Sequence, residues 1–480
     1  LEFLKKITCM VFSSALFLFV FLPLVLIGLF LLKRKWQNYF LLIMSLLFYT
    51  YGEGFLVLLM ISSILINYLL GFTLNYFPKN KKVLFIGVAI NLSGLFFYKY
   101  TDFFISNINE VFDSKLHYLK VALPIGISFF TFQSISYLVD VYSGRVKYQE
   151  NPFNLGLYIS LFPQLIAGPI VRYKDVNQQI TERKINLDKF TKGIKRFIIG
   201  LSKKVLIANP MAVIADEVFS LSVNDLSSGV AWLGVLAYTL QIYFDFSGYS
   251  DMAIGLGKML GFDFLENFNF PYVSKSIQEF WRRWHISLST WFRDYVYIPL
   301  GGNRVSNIKI YRNLMIVFFI TGFWHGASWN FIVWGLFHGF FIILERNKTI
   351  ARFLGANSAL SHLYTLLIVI IGWVFFRSSD LYYALNYLKA LIGLSNGTNY
   401  MAYLIFDNYN KLLMLIGIVC SIPISKLITP SKAINNIVVK YNSSLNFVFI
   451  INLIALFTLF TLCIMEISKN SYNPFIYFRF

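Results

Sequence analysis

Between Met10 and Leu32 the chain runs for 23 residues without a charged side chain. Apolar runs recur near 38–51, 55–77, 83–101, 119–142, 229–257, 311–324, 327–344, 363–376, 380–393, 411–428 and 445–467. A bilayer core about 30 Å thick takes about 20 apolar residues per helical crossing. Inside it no lipid-exposed backbone polar group can go unpaired. With the half-apolar stretch Leu155 to Val171, these runs predict an all-α polytopic membrane protein of about eleven or twelve membrane segments, some re-entrant. Composition agrees. The 480 residues are 57% apolar and 14% charged, whereas soluble domains run near about 45–50% and about 25%. Disordered, collagenous and disulfide-stapled secreted classes are excluded.

The 42 Lys and Arg against 23 Asp and Glu leave a net charge of +19. In a soluble chain this would suggest nucleic acid, but membrane proteins collect Lys and Arg in cytoplasmic loops, so no nucleic-acid partner is expected. Basic links (Lys33, Arg34, Lys35; Lys79, Lys81, Lys82; Arg145, Lys147) alternate with acidic or neutral ones (Gly52, Glu53, Gly54; Asp102, Glu110, Asp113). Basic links inside put the N-terminus outside, against which Lys5 and Lys6 argue. Leu1 is not an initiator, so the true start is expected to differ. Met10–Leu32 is too long for a signal-peptide core and lacks a small-residue cleavage site, so it reads as a retained span. Cys9, Cys420 and Cys463 lie in apolar runs without CxxC spacing and indicate neither a disulfide framework nor a zinc site.

Ten basic residues fall between Arg172 and Lys204 (Arg172, Lys174, Arg183, Lys184, Lys189, Lys192, Lys195, Arg196, Lys203, Lys204) against Asp175, Glu182 and Asp188. Ile194, Phe197, Ile198, Leu201 and Val205 recur at helical spacing opposite the lysines, which predicts a helix lying at the membrane surface or entering it obliquely. Two readings stand: a solvated basic face beside anionic lipid, or a surface steering a phosphate-bearing donor.

The histidines are His117, His285, His325, His338 and His362. His325 sits in an apolar stretch, Thr321-Gly322-Phe323-Trp324-His325-Gly326. An ionisable group at membrane depth usually faces a bundle interior or wet cavity; the alternative is a histidine bonded to a neighbouring helix. Gly322 and Gly326 either admit a close neighbour or break the helix. On an unbroken helix His338 would point away from His325, at the interfacial end of the span. From Gln278 to Tyr295 the pattern predicts one amphipathic interfacial helix with Trp281, His285, Leu288 and Phe292 on its buried face and Arg282, Ser289 and Arg293 opposite. Its terminator, Pro299 to Arg304, could hold a phosphate. Asp245 and Asp251 each have a hydroxyl at i,i+4 (Tyr249 and Ser247), so structural pairing is expected. Pro and Gly within Leu123–Phe132 and Phe162–Ile170 mark broken helices of the kind that line cavities. No GxxxxGK[ST], GxSxG, HExxH or GxGxxG pattern occurs, which removes support for ATP hydrolysis, serine hydrolysis, zinc proteolysis and dinucleotide redox chemistry.

The succession LPIGISFFTFQSISYLVDVYSG, FPQLIAGPIVR, IYFDFSGYSDMAIGLGKMLGF, ENFNFPYVSKSIQEFWRRWHISLSTWFRDYVYIPLGGNR and GFWHGASWNFIVWGLFHG closely resembles the membrane-bound O-acyltransferase family, and within it the bacterial branch that O-acetylates alginate, cellulose or peptidoglycan. The resemblance is strong over 120–345. It implies a fold with a central tunnel and three parts: N-terminal transmembrane helices at 1–118, a catalytic core at 119–347 and C-terminal transmembrane helices at 348–480. It further implies that His325 is the essential histidine and His285 the second polar site residue. Trp324, Asp245, Asp251, Arg283, Asp294 and Arg304 are supporting candidates. No bound cofactor or metal is expected. The donor would be acetyl-CoA or another acyl thioester, free or on a carrier, at the cytoplasmic side of a bacterial inner membrane, with an extracytoplasmic acyltransferase or esterase-like partner. Alternatives are a D-alanyl transferase of the same family and a polysaccharide flippase without chemistry. Neutral imidazole, with an unperturbed pKa of about 6.5, suits the base that acyl transfer to a hydroxyl requires; His325 is expected to be that base, with His285 orienting the thioester or polarising its carbonyl. No nucleophilic serine or cysteine is motivated, so direct transfer is expected.

Overall fold

The computed structural model describes residues 10–166, 168–395, 397, 406–423 and 442–469. Lys5, Lys6, Cys9 and the end of the 411–428 run lie outside them. Among the described residues all regular structure is helical. A π-helical turn leads into α1 (Leu22–Leu31), followed by α2 (Arg34–Glu53), α3 (Val57–Tyr76) and α4 (Lys81–Phe112). Gly54, at φ 56°, breaks the chain between α2 and α3. A Cβ on Gly156 would lie 3.4 Å from Leu42 and 3.6 Å from Ile64. Those two residues flank the break at similar distances, so α2 and α3 fold back as a hairpin. Lys33–Lys35 and Lys79–Lys82 therefore stand at the same end of the hairpin.

The apolar run 119–142 becomes helical only at α5 (Ile127–Tyr142), with the irregular stretch at the Pro and Gly expected to break it. Pro124 lacks a donor, and Gly126 adopts φ 78° where a Cβ would meet the Leu165 carbonyl oxygen at 2.7 Å. The broken stretch that follows forms α6 (Pro152–Ser160) and the single turn α7 (Phe162–Leu165). Side chains stitch its exposed backbone: Phe162 N donates to Ser45 Oγ (3.2 Å), Ile170 N to Ser287 Oγ (2.9 Å), and Tyr158 Oη to the Val171 carbonyl (3.0 Å). Irregular backbone at membrane depth survives only under such cover.

Next come α8 (Tyr173–Glu182), α9 (Leu187–Ser202), a π-helical segment at Lys203–Ala208 and α10 (Asn209–Ser220). Leu187–Ser220 is one 34-residue run of crossing length, so the basic helix enters the membrane. Phe197, Leu201 and Val205 are buried, while Ile194 is exposed. The partner is α11 (Ser228–Met259), buried almost throughout. Gly193 faces Gly255, and Gly200 faces Gly248, each pair so close that a Cβ would sit 2.6–2.8 Å from the opposing carbonyl. Small residues allow this backbone approach, as between helices in lipid generally.

Most of the basic cluster is paired with carboxylates, and Lys189, Arg196, Lys203 and Lys204 pair with α11 or the loop beyond it. Lys204 pairs with Asp245 at 2.7 Å, Arg196 with Asp251 and Glu266, Lys203 with Asp251, Lys189 with Asp263, Lys192 with Asp188, and Arg172 and Lys174 with Asp294. Arg183 donates to the carbonyls of Leu260 and Ile180. The carboxylates of α11 thus meet cations of the neighbouring helix, because a charge away from water needs an opposite charge. In the loop beyond α11, partial burial opposes ionisation of Asp263, yet Lys189 and Lys258 hold its carboxyl below the usual range.

The remaining helices are α12 (Ile277–Arg283), α13 (Ile286–Phe292), α14 (Asn307–His325), α15 (Trp329–Leu344), α16 (Lys348–Ala356), α17 (Ser358–Arg377), α18 (Leu381–Leu391), α19 (Asn408–Cys420) and α20 (Asn442–Lys469). By length and composition, apolar stretches fit to cross a membrane occur at Arg34–Tyr76 (the α2–α3 hairpin), Lys81–Phe112, Leu187–Ser220, Ser358–Arg377 and Ile450–Lys469, with shorter ones at Phe17–Leu31, Trp329–Leu344 and Asn408–Cys420. Two apolar clusters fill the interior, and α11 supplies its C-terminal half to one and its N-terminal half to the other. The chain is an all-α polytopic membrane protein.

Candidate active site

His325 is the last residue of α14, at the tip of the α14–α15 hairpin. The hairpin closes on two glycines. A Cβ on Gly322 would lie 2.2 Å from the Phe331 carbonyl oxygen, and one on Gly335 2.2 Å from that of Phe318. The close neighbour anticipated for Gly322 is therefore α15. Gly326 turns the chain in extended conformation, where a Cβ would strike the Phe331 ring at 2.2 Å. The His325 side chain is 7% exposed and packs against Trp324 (4.8 Å between centroids), Trp334 (5.1 Å) and Phe376 (5.1 Å). It faces protein, not lipid.

The amphipathic helix predicted over 278–295 is broken. Trp284 is extended and His285 takes φ 45°, ψ 54°, so α12 stops and α13 restarts with His285 at its N-cap. The predicted buried side is right: Trp281, His285, Leu288 and Phe292 are all at most 7% exposed. The break lets Asn267, itself fully buried, hold the histidine. Its side-chain oxygen accepts from Ser287 N (3.1 Å) and Ser287 Oγ (2.9 Å), and lies 3.2 Å from His285 Nδ1. The backbone donor identifies this atom as the amide oxygen, which only accepts. A proton on His285 Nδ1 would make this contact a hydrogen bond, with Nε2 of that neutral tautomer an acceptor; Ser287 Oγ also lies 3.5 Å from Nδ1. Sequence reasoning missed Asn267; its signal, a polar residue in the aromatic run Asn267-Phe268-Asn269-Phe270, does not point at a histidine 18 residues on.

Trp324 lies between the two histidines. Its ring is 6.4 Å from that of His285 and continues a stack through Phe132 (5.3 Å) to Trp291 (3.9 Å beyond). His285 and Lys99 are both close enough to act electrostatically on the His325 imidazole. The other candidates sit further out. Asp245 and Asp251 belong to the α9–α11 seam. Arg283 pairs with Glu279 at 2.8 Å and donates to the Asn269 carbonyl at 3.1 Å, tying the Asn267 loop to α12. Asp294 joins Arg172, Lys174 and Arg293. Arg304 is exposed, and in its turn the amides of Gly301, Gly302 and Arg304 donate to the Ile298, Tyr297 and Gly301 carbonyls, so they are not presented to a phosphate. His338 does not sit on one helix with His325, nor at an interface. It lies in a separate helix, fully buried among Phe280, Trp281, Trp334 and Phe337.

A cavity of about 450 Å³ opens beside the site. Leu314, Val317, Phe318 and Thr321 of α14 form one wall, α12 and α13 the other, with Arg282 and Arg293 among its polar residues. Its lining along α14 ends at Thr321, one helical turn before His325.

Residues 142–378 match the model of the membrane-bound O-acyltransferase family. The chain is 44% identical to a probable alginate O-acetylase of Pseudomonas aeruginosa over 82% of this chain and 80% of that protein. It is 40% identical to a peptidoglycan O-acetyltransferase of Helicobacter pylori over 81% of both, and 32% identical to a teichoic acid D-alanyltransferase of Bacillus subtilis over 45% of this chain and 56% of that protein. The two buried histidines thus stand within the matched region of a chain that aligns along most of its length with O-acetylating enzymes, and the chain belongs to the membrane-bound O-acyltransferase family and is an O-acyltransferase.

Proposed function

We propose that the protein transfers an acetyl group from a thioester on the Lys- and Arg-rich side of the membrane to a hydroxyl of a cell-envelope polysaccharide, or of a partner protein, on the other side. The observation that carries this reading is the line from the cavity along one face of α14 to His325. The cavity's arginines suit an anionic donor such as coenzyme A or a carrier's phosphopantetheine, and its apolar wall suits an acyl arm. From Asn307 to His325 the helix rises about 27 Å, and from Lys81 to Lys99 of α4 also about 27 Å. Both helices begin at basic ends, and they meet at His325. That agreement supports a reaction centre set toward the far side, within reach of an external acceptor.

In this reading the His325 imidazole takes the hydroxyl proton as the oxygen attacks the thioester carbonyl. The C–O bond forms, the C–S bond breaks, and the imidazolium returns the proton to the departing thiolate. Asn267 and Ser287 at Nδ1 hold the ring so that Nε2 can orient the thioester or polarise its carbonyl, accepting or donating according to the tautomer. General-base catalysis contributes about 10²- to 10⁴-fold, so His325→Ala or His325→Gln should remove acetyl transfer from labelled acetyl-CoA while polymer export continues. Unchanged acetyl content in the polymer would reject an enzymatic role for this histidine. The likeness to a D-alanyltransferase keeps that acyl group as a second reading. Membranes given acetyl-CoA or a D-alanyl carrier protein, each labelled, decide it by which label moves.

A further inference from the structure

We infer that Lys99 is a positioning residue for acyl transfer, capping from α4 the carbonyl groups on which α14 ends and so fixing the place of His325. This rests on the reading of His325 as the base. The last carbonyls of any helix have no partner within it, and α14 stops inside the bundle with Gly326 extended, which provides no cap of its own. Two adjacent residues of α4 supply what is missing. The Lys99 ammonium donates to the carbonyls of Trp324 (2.5 Å) and His325 (3.1 Å), and the Tyr100 hydroxyl donates to that of Phe323 (2.9 Å). Three consecutive carbonyls of the final turn are thereby held.

The grip is reinforced by rings. Tyr100 stacks on Phe323 at 4.1 Å, the Lys99 ammonium lies 5.8 Å from the centre of the Trp324 ring, and one more turn along α4 Phe103 touches both Phe323 and Trp329. Asn107 then accepts from Trp329 Nε1 at 2.9 Å, at the start of α15. One face of α4 therefore clasps the hairpin tip on both sides of His325. A cation at the negative end of the helix dipole is favourable, and it accounts for an ammonium in a run that is otherwise uncharged from Val83 to Tyr100. A lysine in such a run is costly unless it has a task. Among the described residues Lys99 meets the Trp324 and His325 carbonyls and the Trp324 ring, so we assign it to holding His325 in place.

The test uses the full chain in lipid nanodiscs. Thiol release from acetyl-CoA is followed with polymannuronate or peptidoglycan fragments as acceptor and normalised to folded protein. Because a displacement of about 1 Å can cost about 100-fold in rate, Lys99→Met should lower kcat by about 10- to 100-fold with KM for acetyl-CoA within about twofold, the mark of an interaction that matters in the transition state. Lys99→Arg, which keeps the charge and the donors, should recover most of the loss. Tyr100→Phe, which keeps the stack and deletes one cap, should fall between and serves if Lys99→Met does not fold. The inference is overturned if Lys99→Met keeps wild-type kcat, if it raises KM alone, or if Lys99→Arg is no better than Lys99→Met. His325→Ala in the same assay separates the two ideas: activity there removes the base assignment, whereas an inactive His325→Ala beside a fully active Lys99→Met removes only the clasp.

Discussion

Replacing Gly322 by alanine would place a methyl carbon 2.2 Å from the Phe331 carbonyl oxygen, with the Phe331 carbonyl carbon at 3.1 Å and Gly335 Cα at 3.2 Å. Ordinary contact begins at 3.4 Å, so α14 and α15 must part by about 1.2 Å at this crossing, against backbone that cannot rotate away. Overpacking of this kind costs about 1–3 kcal/mol. Because Gly322 is one turn from His325, the same opening moves the imidazole relative to Trp334 and to His285 and predicts a loss of about 100-fold in kcat. Gly335→Ala should behave alike, since its Cβ would lie 2.2 Å from the Phe318 carbonyl. The double variant should cost less than the sum, because one opening accommodates both methyl groups. Gly355→Ala in α16 is the control: a Cβ there meets nothing within 4 Å, and the exchange should stabilise by about 0.5–1 kcal/mol. Thermal unfolding and acetyl-CoA turnover on the four proteins decide the matter. Wild-type turnover and stability in both single variants would refute the claim that glycine contact sets the position of His325.

Asn267→Ala removes the acceptor for Ser287 N and the partner of His285 Nδ1, and should destabilise by about 1–3 kcal/mol while lowering acyl transfer; equal activity of the two proteins counts against an orienting His285. Lys204→Met leaves Asp245 buried without its cation and should cost about 3–5 kcal/mol, whereas Lys204→Met with Asp245→Leu should recover most of it, measured as unfolding free energy in detergent. At the exposed edge, Asp263→Asn should change stability by less than about 1 kcal/mol. Because the folded-state pKa of Asp263 is depressed, that small contribution is present above the ordinary carboxylate range and disappears as pH falls through the lowered value, so unfolding curves of variant and parent should converge in acid.

The sequence was most readable where one local rule decides. Uninterrupted apolar runs gave spans, and an intramembrane histidine between glycines marked the site. It was less readable where a local rule met a distant partner. The pattern of Trp281, His285, Leu288 and Phe292 predicts one helix, and its buried side is correct, but the Asn267 loop takes hold of Ile286 and Ser287 and breaks the helix at His285. Likewise Asp245 offers a hydroxyl neighbour in sequence, but nothing local announces Lys204, 41 residues earlier, as its cation. The basic stretch between Arg172 and Lys204 reads as a charged face because periodicity cannot tell which lysines another helix will neutralise.

Composition and hydropathy alone determined that this chain must be a helical membrane protein, since burial of an unpaired peptide group in hydrocarbon is too costly for other open architectures. The order of its motifs alone determined the family. What only the folded chain decided is the company each reactive group keeps: the stop of α14 at His325, the Asn267 amide beside His285 Nδ1, and the Lys99 side chain at the end of a helix more than 220 residues away. Contacts between distant segments depend on how helices pack, and packing is set by backbone approach at particular glycines that no local spacing reveals.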